Sequence, residues 1–231
     1  MKKILLTFAL IAGLALPASA LDFFSTAKPK RLLDLGVRIG VNTSNRTISD
    51  DYFNIQNLNS WGTGFDIGVI AGFNIRDYLS IEPGLFFESR SGRFSYMSKV
   101  YGLEEETYAK WGKGMQYNFT IPVMASFHFN VLNVMRWNVD VGPYFQINLK
   151  NTFAGKFKYP ELLYENGVLQ THLFKTKAAG CDVGLKFGTS LLLFKHYYVG
   201  VHYLAGFLSP WNPRDLGGVN KEWMFTIGYN L

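Results

Sequence analysis

With 231 residues, 48% of them apolar and 16% aromatic, the chain is long enough for one barrel or two small domains, and no shift of composition marks a second. Its formal net charge of +6 includes Lys2 and Lys3 at the very start, and the remaining excess is scattered, which argues against a nucleic-acid partner. The single Cys181 excludes an internal disulfide and reads as a free, small apolar thiol.

Residues 1–20 read as a signal peptide: Lys2 and Lys3 precede an apolar run from Ile4 to Leu16, and Ala18-Ser19-Ala20 has the small-x-small form of a cleavage site. The mature chain is expected to begin at Leu21. Residues 21–32, with Lys28, Pro29, Lys30 and Arg31, read as a short periplasmic tether, and residues 33–231 as one barrel. Beyond the signal no apolar run reaches about 18 residues, so any membrane span must be built from strands.

The first strand sets Leu33, Leu35, Val37, Ile39 and Val41 against Asp34, Gly36, Arg38, Gly40 and Asn42. A long hairpin follows, turning at Arg76-Asp77-Tyr78. One face carries Thr63, Phe65, Ile67, Val69, Ala71 and Phe73, then Leu79, Ile81, Pro83, Leu85 and Phe87; the other carries Asp66, Glu82, Glu88 and Arg90 among glycines. Period-two alternation of this length suits strands tilted across a bilayer. Strands four and five, Tyr117 to Phe129 and Arg136 to Ile147, alternate in the same way around a turn near Asn130 to Val134. Strand six begins at Ala179, strand seven follows the turn Phe194-Lys195-His196, and strand eight runs through Trp223, Phe225, Ile227 and Tyr229.

Polar stretches 43–60, 91–114, 150–177 and 209–220 are expected as long loops, with one helical turn at Pro160-Glu161-Leu162-Leu163. Long and short connections alternate, which predicts an all-β fold: an eight-stranded antiparallel up-and-down transmembrane β-barrel with short turns on the periplasmic rim. Pro83, Pro122 and Pro143 remove ladder donors inside strands, so kinks or bulges are expected there.

A secreted lipocalin-like barrel is the alternative, and it would put the apolar row inside. The membrane reading is preferred because the apolar row holds no Asp, Glu, Lys or Arg, while the other row is rich in glycine with mixed charges. Asp34, Asp66, Glu82, Glu88, Asp140, Asp182 and Glu222 are then expected in the lumen with Arg38, Arg90, Arg136 and Lys186. Pairing of Arg38, Arg136 and Lys186 with Asp66, Glu82, Asp140 and Asp182 would plug a barrel this small. Aromatic girdles are expected at Phe73, Phe129, Trp137, Tyr197 and Tyr229 on the short-turn side, and at Trp61, Phe87, Tyr117, Phe207 and Trp223 on the other.

Ser126, His128 and Asp140 can be drawn as a triad, and His128 with His202 as a metal pair, but lumen hydrogen bonding explains these residues more simply. No catalytic site, metal or cofactor is expected. Function is expected in the outer loops, whose Arg46, Tyr52, Arg93, Tyr96, Tyr101, Lys156, Tyr159, Tyr164 and Trp211 suit binding or adhesion, or in support of another envelope assembly. The alternatives are a narrow channel for small polar solutes and a lipid-modifying enzyme. Expected partners are outer-membrane lipid, lipopolysaccharide and other envelope proteins.

Six pieces of the chain add a resemblance: Gly36-Val37-Arg38-Ile39-Gly40-Val41-Asn42, Gly64-Phe65-Asp66-Ile67-Gly68, Ile81-Glu82-Pro83-Gly84-Leu85, Ile121-Pro122-Val123, Val141-Gly142-Pro143-Tyr144 and Tyr203-Leu204-Ala205-Gly206. Together they resemble the PorT-like outer-membrane β-barrel family across the mature chain. The resemblance implies an eight-stranded outer-membrane barrel. The founding member is linked to type IX secretion, and most relatives have no assigned activity, so the resemblance does not carry that role over.

Overall fold

A strand that is apolar on one face and charged on the other must hide one of them, and closing the sheet on itself does so while pairing every edge. A computed structural model of the chain describes residues 23–46, 56–99, 106–132, 134–157, 164–165, 168–169, 177–178, 180–208, 211–212 and 219–231. The signal-peptide reading of residues 1–20 and the helical turn at 160–163 lie outside them. Eight strands close into an antiparallel barrel: β1 Leu33–Arg46, β2 Gln56–Arg76, β3 Leu79–Lys99, β4 Glu106–Leu132, β5 Met135–Phe157, β6 Cys181–Leu193, β7 Tyr197–Gly206 and β8 Asn220–Asn230. Each pairs with its neighbours in sequence, and β1 closes the ring on β8 from Gly36↔Asn230 to Arg46↔Asn220.

The apolar row faces outward. Phe65, Ile67, Val69, Ile121 and Val199 are exposed, whereas Asp66 and Lys186 are buried. That orientation rules out the lipocalin alternative.

All four of the expected loops are partly strand, the last through Trp211 and Asn212, which pair with Ala178 and Lys177. β3 and β4 continue as a hairpin to Lys99↔Glu106, β2 starts at Gln56 opposite Met97, and β5 runs on to Phe157 opposite Ala109. Past the apolar band both faces of a sheet can be solvated, so alternation lapses in the sequence although the ladder goes on. Side chains 92–99, 106–114 and 151–157 lie outside the described residues, as do those of the other loop residues named for recognition.

The prolines do not shift the register, contrary to expectation. Pairing passes from Ile70↔Gly84 to Phe73↔Ile81 around Pro83, from Pro83↔Val123 to Phe86↔Thr120 around Pro122, and from Pro122↔Tyr144 to Ala125↔Val141 around Pro143. Each proline thus turns its missing N–H toward the preceding strand and interrupts one ladder while both strands stay in step. The irregularities sit elsewhere, at Trp61/Phe65, Asn74/Arg76, Phe94/Tyr96, Ala109/Trp111, Tyr117/Asn118 and Asn130/Leu132.

At the short-turn end, Phe194 and Lys195 take left-handed φ values of 53° and 68° between β6 and β7. Two successive left-handed residues match the right-handed twist of the flanking strands. The segment expected as a tether is held against this rim from Phe23 onward. Asn130 N–H donates to Phe23 O at 3.0 Å, Asp77 N–H to Ala27 O at 3.1 Å and Asn74 N–H to Leu32 O at 2.9 Å. Phe23 stacks on Phe129 with centroids 5.3 Å apart, and Phe24 meets Tyr78 at 4.5 Å.

Candidate functional site

The inward row fills the barrel in layers. At its centre Phe86, Tyr144, Leu204 and Met224 form a buried apolar cluster, with Ile70 against it. A wholly polar core is therefore not what forms. Glycines opposite make the room: Gly68 pairs with Phe86 and Gly184 with Tyr144, and a Cβ at Gly68 would stand 2.6 Å from the Phe86 ring. These large side chains fit because the facing positions have none.

Beside this cluster, Arg90 gathers the charges. Its Nη2 donates to Glu88 Oε2 at 2.9 Å, its Nη1 to Gln146 Oε1 at 2.6 Å, and its Nε faces Glu222 Oε2. Thr120 adds a bond to Glu88 at 2.7 Å. Asp66, fully buried, is the cross-strand partner of Glu88.

The cations named for pairing behave otherwise. Lys186 Nζ lies 4.7 Å from the centre of the Phe86 ring. Arg38 stacks over the Tyr198 ring at 3.8 Å and donates to Asn230 Oδ1 at 2.7 Å and to Val37 O at 3.0 Å. A flat guanidinium can satisfy itself on a ring and amide oxygens where no carboxylate is within reach. Arg136 stands at the short-turn mouth, where its buried Nε has no hydrogen-bond partner among the described residues.

Asp140 accepts from Ser126 at 2.5 Å and Ser190 at 3.1 Å, and its Oδ2 lies 3.0 Å from His202 Nε2. His128 belongs to a different group, with Nε2 3.1 Å from Ser80 Oγ and Nδ1 3.2 Å from Asp77 O. Ser80 in turn donates to Glu82 at 2.8 Å. The drawn triad is thus not assembled: the serine is bound to the acid directly, and no imidazole touches its hydroxyl. Nor are His128 and His202 brought together, and among the described residues no group of His, Cys, Asp or Glu is placed to hold a metal.

Asp34 accepts from Asn74 Nδ2 at 2.8 Å near the short-turn rim, and Asp182 accepts from Tyr144 at 3.1 Å and Asn220 at 2.8 Å toward the other end. Outside, Trp61, Phe73, Trp137, Tyr197, Trp223 and Tyr229 are exposed, while Phe129 and Tyr117 are half-buried by neighbouring rings. Tyr203 meets Trp223 edge-on at 4.8 Å, Phe87 stacks on Tyr117 at 6.1 Å, and Phe129 meets Trp137 at 5.3 Å. One polar group on this face is satisfied locally, as Trp137 Nε1 donates to Thr189 Oγ1 at 2.5 Å. The residues that sequence reasoning undervalued are Arg90 and Glu222, whose placement in the charged row was legible but whose meeting was not.

A closed barrel with charges and hydroxyls inside and an apolar band outside is a membrane-spanning barrel. The chain belongs to the outer membrane protein beta-barrel domain family, whose model matches residues 23–209. No curated protein matches the sequence. Among solved structures it is similar to OprG of Pseudomonas aeruginosa, with 10% identity, 90% of this chain and 98% of that one covered and a TM-score of 0.44. It is also similar to Ail, the attachment invasion locus protein of Yersinia pestis, in complex with the heparin analogue sucrose octasulfate, with 12% identity, 87% and 100% covered and a TM-score of 0.39. For Neisserial surface protein A the values are 12%, 85%, 96% and 0.38.

Proposed function

We propose that this outer-membrane barrel does not pass solutes and acts through what it presents beyond the membrane, as a binding or adhesion surface or as a docking part of an envelope assembly. The observation that carries this reading is the filled lumen: the Phe86, Tyr144, Leu204 and Met224 cluster and the Arg90 tie occupy the middle of the barrel. Between Arg38, Phe86, Lys186 and His202 there remains a cavity of about 30 Å³. That is room for ordered water, and far below what a hydrated solute needs.

The extension of β2 to β5 past the apolar band supports the second half of the reading, because a paired sheet holds a binding surface more rigidly than a free loop. In this reading the short turns face the periplasm, residues 1–20 are removed at Ala20, and the chain is a PorT-like member of its family. Planar-bilayer recording tests the first claim: little steady conductance is expected, and a large stable current would overturn it. Replacing residues 92–113 by a short turn tests the second. The barrel should still fold and insert, and crosslinking to envelope or surface partners in intact cells should be lost.

A further inference from the structure

The short-turn mouth of the barrel opens into a cavity of about 380 Å³, a size typical of small-molecule sites. Its floor is lumen side chains, including Arg136 and Leu192, and its walls are the docked N-terminal segment and the turns. Five cations line it: Lys30, Arg31, Arg76, Arg136 and Lys195, against the side-chain carboxylates of Asp34 and Asp77, with Leu231, the last residue, also in the lining.

These cations are not spent on one another's counter-ions. The ion pairs found among the described residues involve Arg90, His128 and His202. Among the described residues Arg31 donates to an oxygen of Leu231, the last residue, at 3.1 Å. Asp34 accepts from Asn74, and the Nε of Arg136 is buried without a hydrogen-bond partner among the described residues, although Glu82, Asp34 and Asp77 lie near enough to attract its charge. Holding this many like charges around one concavity is unfavourable until an anion enters, and partial enclosure strengthens the attraction when it does.

We propose that this mouth binds a phosphate group, carried either by a small phosphate ester in the compartment it faces or by the headgroup of a lipid at the rim. Three guanidinium forks and two ammonium groups offer more donors than one carboxylate can accept. A phosphate monoester brings roughly two negative charges and three acceptor oxygens. The cavity is also larger than a bare ion, and Val134, Met135 and Leu192 add apolar lining for an organic remainder. The site is independent of whether the lumen conducts, since it lies at the mouth of the filled core.

The test uses the whole barrel, in detergent micelles for soluble probes and in nanodiscs for lipid. Glycerol 3-phosphate should bind by calorimetry in the submillimolar range, and the exposed pair Arg76→Gln with Lys195→Gln should weaken it by about tenfold or more. Heat-modifiable gel mobility confirms that the variant is folded, and Arg136→Gln alone provides an independent loss of binding. Binding of glycerol 3-phosphate assigns the soluble ester. If it does not bind but phosphatidic acid in nanodiscs shows a phosphorus resonance shifted by the wild type and not by the variant, the lipid headgroup is assigned. Succinate binding as tightly as glycerol 3-phosphate, equal binding by wild type and variant, or no response to any probe would each overturn the proposal.

Discussion

Arg90 of β3 and Glu222 of β8 meet inside the lumen, Nε against Oε2, although β1 and β2 stand between their strands in the wall. Both side chains are 1% exposed. With Glu88 and Gln146 on the remaining nitrogens, one guanidinium braces β3, β5 and β8 across the interior. Truncating it strands two buried carboxylates, so Arg90→Ala is expected to cost about 3–5 kcal/mol in urea unfolding from lipid vesicles. Changing Glu88, Arg90 and Glu222 together to methionine should recover most of that loss, because the charges then leave as a set. Wild-type stability in Arg90→Ala would remove the brace from any account of this barrel.

The apolar cluster makes a separate expectation about transport. Phe86 and Met224 are buried at 4% and 0%, so removing both side chains opens space rather than exposing more surface. Each truncation should cost about 2–5 kcal/mol. The double variant Phe86→Ala with Met224→Ala should show steady bilayer current where the wild type shows little. A variant as silent as the wild type would place the seal at Arg90 instead.

Alternation made the barrel legible because each residue in the band faces one of two extremes; Val37 is 50% exposed and its neighbour Arg38 is 3%. Between Gly92 and Lys99 the alternation lapses in the sequence although the strand goes on, so strand read as loop. Pro122 looked like a breaker because a sequence shows the missing donor but not that one interrupted ladder leaves the register unchanged. Arg90 looked like one lumen charge among several. Nothing along the chain records that Arg90 would reach Glu222 while Arg38 settled on Tyr198, since those choices depend on strand stagger around a closed ring.

The turn between β6 and β7 places Phe194 and Lys195 in a region that residues with a side chain enter at a cost. Asn-Gly is the sequence this turn geometry favours. Phe194→Asn with Lys195→Gly should therefore raise stability by about 1–2 kcal/mol and speed refolding into vesicles. Phe194 is 62% exposed, so little packing is lost in the exchange. A loss of stability would show instead that this aromatic ring anchors the turn at the membrane interface.

Ile67, Ile39, Ile227 and Val199 are successive cross-strand partners on the outer face of β2, β1, β8 and β7. All four are about half exposed, which water would penalise and hydrocarbon would not. An arginine placed there must drag its charge through the apolar band, so Ile39→Arg is expected to cost about 2–4 kcal/mol in unfolding from lipid vesicles. The adjacent residue gives the control: Gly40 faces inward, and a Cβ there would stand 2.6 Å from the Phe225 backbone oxygen and 2.8 Å from either Asp66 carboxylate oxygen. Gly40→Ala should act by crowding the Phe225 backbone and Asp66 inside the barrel, with a penalty that does not change when bilayer thickness is varied. The Ile39→Arg penalty should fall in thinner bilayers, where the guanidinium reaches the headgroups more readily. If it stays constant, lipid does not meet this row.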